Sequence, residues 1–298
     1  MTGRADAAIT ARRRPFILFR GHRPTNPALQ SALRHIVVIC LLIAILYPIV
    51  WMIVASFRPG EEALNGLGLS FSHLTISNYR QGLNGMNFSR FFLNSLFLAV
   101  VEIIGTLFSC TLAAYAFARL DFRFRRVLFA ILIGALLLPS QVLIVPQYVI
   151  FHHLNLVGTY LPLILPHFLG IDAFFIFLNT QFIRGLPREL DDAARIDGCG
   201  EIKIFLRVVL PLSLPAVATT AMFMFINSWN DLLGPLLYLS NTSLFTVPQG
   251  LTTLLDTTGQ SSFGALFAMS TLSLIPVAAF FFTGQKLLVD GIAMTGLK

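Results

Sequence analysis

The sequence predicts an all-α integral membrane protein with six transmembrane helices, and three observations lead there. Only 12% of the 298 residues are charged, 56% are hydrophobic, and the mean hydropathy is +0.77. A soluble domain carries about 25% charged residues, because water must wet its surface. The apolar residues also come in blocks. Ile36–Phe57 contains no charged side chain, and at about 1.5 Å per helical residue it is long enough for a hydrocarbon core roughly 30 Å thick. Finally, the basic residues alternate with these blocks. Four segments (Met1–His35, Arg119–Arg126, Arg184–Arg207 and the tail from Lys286) hold 18 of the 21 Lys and Arg. Such residues accumulate on the cytoplasmic side of membrane proteins, so these segments and both termini are expected there. The formal net charge of +7 therefore reads as topology, with lipid rather than nucleic acid as the partner.

The crossings follow in order. Residues 1–35 form a basic cytoplasmic arm, loosely ordered and amphipathic around Phe16–Phe19, ahead of the first span at Ile36–Phe57. No cleaved signal peptide is expected, since that span is too long for a signal core and lacks a small-residue cleavage site. An outer segment, Arg58–Arg90, has turns marked by Pro59, Gly60, Gly66 and Gly68. The second span is Phe91–Ala118, and the third is Val127–Phe151, interrupted by Pro139 and Pro146. The fourth is Tyr160–Ile183, the fifth Leu212–Leu236 and the sixth Gly264–Leu287. Leu239–Ser262 has no Lys or Arg and fits the outer side. Backbone groups in lipid must be satisfied within the segment, and these solid apolar runs lack the alternation of a barrel. All six spans should be helices. Prolines in or beside them, such as Pro48, Pro166 and Pro276, serve equally as packing kinks or hinges. The cysteines (Cys40, Cys110, Cys199) make no disulfide framework and read as free thiols.

The most informative stretch is Leu186–Pro211. Pro187 suits the first position of a helix. Glu189, Asp191 and Asp192 sit at its positive end, with Arg195 near its negative end. Gly198 supplies a left-handed cap, which predicts a short helix over Pro187–Asp197. A second begins near Glu201, with Ile202, Phe205, Leu206 and Val209 on one face at spacings of three and four. Two short charged helices between crossings make either a docking knob, which small Ala193 and Ala194 let another surface approach, or an ordinary amphipathic connector.

This stretch resembles the coupling motif of ABC importer permeases: Glu-Ala-Ala, three residues, Gly, nine residues, Ile, one residue, Leu-Pro. Here Asp192-Ala193-Ala194 is followed by Gly198, then Val208 and Leu210-Pro211; Asp192 replaces Glu and Val208 replaces Ile. Further features resemble the smaller, maltose-type permease of the carbohydrate-uptake branch. They are Asn94-Ser95-Leu96, Tyr115–Arg119, Pro139, Pro146-Gln147-Tyr148, Phe182–Pro187, Ser228-Trp229-Asn230-Asp231 and Gln285–Gly291. The resemblance runs from Ile36 to Lys298, and the N-terminal arm departs from the family in length.

It implies a type I ABC importer permease fold over 36–298, with a core at 91–287 and coupling helices at 187–209. It also implies that Glu189, Asp192, Ala193, Ala194, Asp197 and Gly198 couple to an ATPase. The implied partners are a second homologous permease, two ATPase subunits and an extracytoplasmic solute-binding protein, in a bacterial cytoplasmic membrane. The solute would be a sugar or a sugar-like compound, such as an oligosaccharide, amino sugar or glycerol phosphate, moved by alternating access.

No G-x4-G-K-[ST] loop occurs in the chain. No cofactor is therefore expected on it, ATP and Mg belonging to the partner subunits. Glu102 and Asp172 lie midway along their spans, where a carboxylate in lipid is a functional candidate by default. They line a solute path or pair with polar groups. Asn94, Asn179, Gln181, Asn227 and Asn230 serve the path or bond between helices. Glu102 and Asp172 also suit proton carriers in a secondary transporter, but such proteins are built from internal repeats and none is visible here. His152-His153 lacks nearby Cys, Asp or Glu and is poor ground for a metal. No H-E-x-x-H or G-x-S-x-G sequence suggests an enzyme.

Overall fold

In a computed structural model of the chain, residues 27–59, 74–85, 87–256 and 263–295 are described. Among them all regular structure is helical. The chain divides after Ile49 into two units. The first is described only as the beginning of α1 (Pro27–Ser56). That helix starts inside the stretch read as an arm; Phe16–Phe19 and the glycine turns at 60, 66 and 68 lie outside the described residues.

The second unit is built around α3 (Phe88–Arg119, 32 residues). The short α2 (Ser77–Gly85) precedes it; α4 (Arg125–Ala135), α5 (Ser140–His153), α6 (Leu161–Phe168) and α7 (Ala173–Gly185) follow. Next come α8 (Glu189–Ile196) and α9 (Glu201–Ile204), then a wider π turn at Phe205–Val209 and a single turn, α10 (Leu210–Leu212). The remaining helices are α11 (Leu214–Asn230), α12 (Leu233–Tyr238), α13 (Val247–Asp256) and α14 (Phe263–Thr295).

The reason α3 is central can be read along it. Ala99, Thr106, Cys110, Ala114 and Ala118 are buried at steps of seven and four that keep to one side of the helix, and Gly105 is buried on another. Small residues let helix backbones approach closely where lipid offers no hydrophobic drive. At Gly105 an added Cβ would stand 2.5 Å from the Phe168 ring, so a larger residue there would force that ring of α6 to move. α6, α7 and α11 all lie against α3, and α14 packs on α11. There Phe225 stacks on Phe280 at 4.4 Å and the Trp229 indole donates to the Ser273 carbonyl at 3.1 Å. In the first turns of α3, Asn94 donates to the carbonyls of Ser243 and Phe245, and Ser95 accepts from the Val247 N–H at 2.8 Å. Asn94 thereby holds the connector between α11 and α14 against α3.

Among the described residues, four helical stretches are long and apolar enough to cross a membrane: Gln30–Ser56, Phe88–Arg119, Leu161–Gly185 and Phe263–Gln285. A fifth is formed if Glu201–Leu212 and Leu214–Asn230, bent by 76°, count as one. The expected third crossing consists of two helices of 11 and 14 residues, α4 and α5, parted before Pro139. Each falls short of the roughly 20 residues a span requires. The expected fifth, Leu212–Leu236, stops at Asn230; Asp231 adopts an extended ψ of 118° and α12 begins afresh.

Candidate functional site

The stretch between α7 and α11 forms a knob whose local geometry follows from its residues. α8 is about 12 Å long, two residues shorter at its start and one at its end than the sequence predicts. Gly198 has a φ of +79°. Its N–H donates to the Arg195 carbonyl at 3.0 Å, and the Cys199 N–H reaches back to Ala194 at 2.9 Å. Together these bonds make the Schellman closure that glycine permits at C′.

Eight residues do not hold a helix in water on their own, so tertiary interactions must fix this one. Asp191 is buried against the end of α3, where its Oδ2 lies 2.9 Å from the Arg119 Nε. Arg119 also donates to the Leu186 carbonyl at 2.9 Å through Nη2. A second clamp centres on Glu201. Its Oε1 accepts from Nε and Nη2 of Arg195 at 3.2 and 3.0 Å, and its Oε2 accepts from the Tyr115 hydroxyl at 2.7 Å. Arg195 further donates to Asp192 at 3.0 Å. Beneath these polar clamps, Tyr115, Ala118, Ile183, Ile204, Phe205 and Val209 form an apolar floor.

The residues left outward are Glu189, Asp192, Ala193, Asp197 and Gly198, while Ala194 is half-buried on the floor. They share the surface with exposed apolar side chains, Ile196 at 86% and Ile202 at 76% exposure, with Leu190 and Leu206 beside them. The predicted single face of Ile202, Phe205, Leu206 and Val209 is corrected here: Phe205 and Val209 turn inward, Ile202 and Leu206 outward. The π turn over Phe205–Val209 explains the split, because a wider turn breaks the three-and-four spacing of an α-helix.

A separate polar cluster lies within the spans. His167 of α6 approaches Asp172 through Nδ1 at 2.8 Å and Glu102 of α3 through Nε2 at 4.0 Å. Thr106 donates to the same Asp172 oxygen at 3.0 Å, and Ser109 donates to the His167 carbonyl at 2.6 Å. The site exists because the helix breaks: Gly170 takes a φ of +70°, and Asp172 follows as the residue preceding α7. Of the sequence-predicted path residues, Glu102 and Asp172 meet here. The others do not. Asn179 is fully buried, donating to the Phe175 carbonyl and to Thr220 Oγ1, both at 2.8 Å. Asn227 and Asn230 are exposed, and Asn230 donates to its own helix at Ile226.

Sequence reasoning missed three contributors: His167, Arg119 and Asp191. A histidine inside an apolar run, five residues before an aspartate, was a usable signal. Nothing local marked Arg119 and Asp191 as partners. No group of three or more His, Cys, Asp or Glu among the described residues is arranged to hold a metal.

Residues 105–293 match the family described as "Binding-protein-dependent transport system inner membrane component". The arabinooligosaccharides transport system permease protein of Halalkalibacterium halodurans is 36% identical over 284 residues, covering 93% of this chain and 99% of that protein. The trehalose/maltose transport system permease protein of Thermococcus litoralis is 30% identical, covering 91% and 98%. In three dimensions the chain resembles part of a bacterial ABC transporter that imports the acidic polysaccharide alginate. The TM-score is 0.80 at 21% identity, over 90% of this chain and 99% of that one; at this identity the likeness shows the fold. The match spans well over half of the chain, and the fold is that of an ABC importer permease. This multi-pass membrane protein belongs to the binding-protein-dependent transport system inner membrane components, the permease subunits of ABC importers.

Proposed function

We propose that this permease moves a sugar or sugar-like solute, most simply an oligosaccharide, into the cytoplasm of a bacterium across its inner membrane. The names of the two relatives, for arabinooligosaccharides and for trehalose or maltose, support that solute class. The working assembly is this chain, a second homologous permease, two ATPase subunits that hold ATP and Mg, and an external binding protein; this chain binds no cofactor. Six crossings place both termini in the cytoplasm, with α4 and α5 together acting as the third.

The observation that carries the reading is the knob's construction. Its inner side is clamped to the end of α3 by the Arg119–Asp191 ion pair and the Tyr115–Glu201 hydrogen bond, while Glu189, Asp192, Ala193, Asp197 and Gly198 stay exposed. A lever needs both properties: a surface that a partner can grip and a stiff joint to the helix it moves. ATP-driven closure of the partners pushes on α8, and α3 carries the displacement to the solute path. Glu102, His167 and Asp172 supply carboxylates and an imidazole that hydrogen-bond sugar hydroxyls on that path, whereas Asn179 holds α7 to α11.

The test is ATP hydrolysis by the co-expressed complex in lipid, with and without solute-loaded binding protein. Wild type should be stimulated. Gly198→Pro, or Asp192→Lys with Ala193→Arg, should lose stimulation and uptake while the complex stays folded. Normal transport by these variants would reduce the knob to a connector.

A further inference from the structure

We infer that the groove between the start of α4 and the end of α7 binds the phosphate of an anionic phospholipid. The groove has a volume of about 770 Å³ and is lined by Arg125, Arg126 and Arg184 together with Phe122, Phe124 and Asp121. It lies where two apolar stretches end, Phe88–Arg119 and Leu161–Gly185, and the ends of spans are where headgroups meet water in a bilayer.

The arginines are unequally occupied. Arg125 is consumed, donating to the Phe117 and Leu120 carbonyls at 3.1 Å each and to Asp121 at 2.6 Å. Asp121, the one carboxylate of the lining, is thereby taken up as well. Arg184 makes one long bond, to the Phe117 carbonyl at 3.4 Å, and its guanidinium lies 4.4 Å from the centre of the Phe129 ring. A guanidinium has five N–H donors in a fixed fork that fits phosphate, so most of those of Arg184 remain available. Arg126 makes no hydrogen bond or ion pair among the described residues and is exposed. Arg125 and Arg184 are also close enough for their like charges to interact, a repulsion that a bound anion would relieve.

The neighbouring surface fits the rest of a lipid. α4 has no buried residue, and Val127, Leu128 and Ile131 continue outward from the groove as exposed apolar side chains. A soluble anion would leave that face bare; a diacyl lipid covers it with its chains while its phosphate sits among the arginines. Basic pockets between membrane helices bind anionic headgroups on this principle. The leaflet, cytoplasmic, rests on the coupling reading because the groove shares its end of α3 with the knob. Lipid labelling itself does not depend on that reading, so failure of one is distinguishable from failure of the other.

The test uses the full-length chain in its co-expressed complex, labelled in vesicles by photoactivatable phosphatidylglycerol or by phosphatidylcholine carrying the same photoactivatable chain. Phosphatidylglycerol should label peptides covering 122–131, and phosphatidylcholine should not. Competition by unlabelled phosphatidylglycerol should weaken about fivefold in Arg126→Ala and roughly 25-fold when Arg184→Gln is added, at about 1 kcal/mol per basic group. Excess inorganic phosphate should leave the labelling intact. Equal labelling by both lipids in the wild type, a measurement that needs no variant, would overturn the site. Loss of labelling to inorganic phosphate would reassign the groove to a soluble anion. Labelling of the isolated chain but not of the complex would show that a partner subunit fills the groove. Either result rejects the lipid.

Discussion

The knob and the polar cluster are built alike and end differently. Each depends on a glycine at positive φ, Gly198 in one and Gly170 in the other, and each brings charged side chains from separate helices together. At the knob, the paired charges form the joint and a second set stays exposed: Asp191 is spent on Arg119, while Glu189 and Asp197 face outward. In the cluster the charges turn on one another, with His167 set between Asp172 and Glu102. Where water is at hand, a protein can leave carboxylates unpaired for a partner. Inside the spans an unpaired carboxylate is costly, so the same residue type is paired with a neighbour there.

The largest expected effect comes from breaking the joint. Arg119→Ala strands the buried Asp191 carboxylate, and removing one member of a buried pair costs about 3–5 kcal/mol. Faster proteolysis within 186–211 and loss of solute-stimulated ATP hydrolysis should appear together. A joint replacement, Arg119→Met with Asp191→Leu, should restore the resistance to proteolysis. If Arg119→Ala alone keeps both properties, the lever is not seated on α3.

A smaller effect is expected in the cluster, which is partly exposed. His167→Ala leaves Asp172 with the Thr106 hydroxyl, a loss of about 1–3 kcal/mol for an unsatisfied group. Thermal unfolding of the complex in detergent measures it. Solute uptake should fall further than stability does if the cluster lies on the path; equal losses would make it a packing element only.

Gly198→Ala should be mildest. Nothing stands within 4 Å of an added Cβ, so only the left-handed backbone resists it, at about 1–2 kcal/mol. ATP hydrolysis should stay coupled at low temperature and uncouple at a lower temperature than wild type. That outcome would separate cap strain from the steric block of Gly198→Pro.

Much of this was legible in the chain itself. The apolar blocks located four of the six expected spans among the described residues, and a fifth if the bent pair counts, because a bilayer imposes a length; the basic segments implied an orientation. The knob was visible because helix caps are local: proline, carboxylates and glycine mark its ends within a dozen residues. The reading failed where local spacing stopped governing. A π turn split the face of Ile202, Phe205, Leu206 and Val209, and the third span was parted more sharply than its prolines implied.

By itself, then, the sequence determined that the protein lives in a membrane, that it is helical, and where its short charged knob helix begins and ends, since composition, period and capping act over short stretches of chain. Only the tertiary structure decided which charges meet. Arg119 and Asp191 are separated by four helices, α4 to α7, and Glu102 by more than sixty residues from His167 and Asp172. Helix packing on the small-residue face of α3 sets those separations in space, and no periodicity along the chain encodes them.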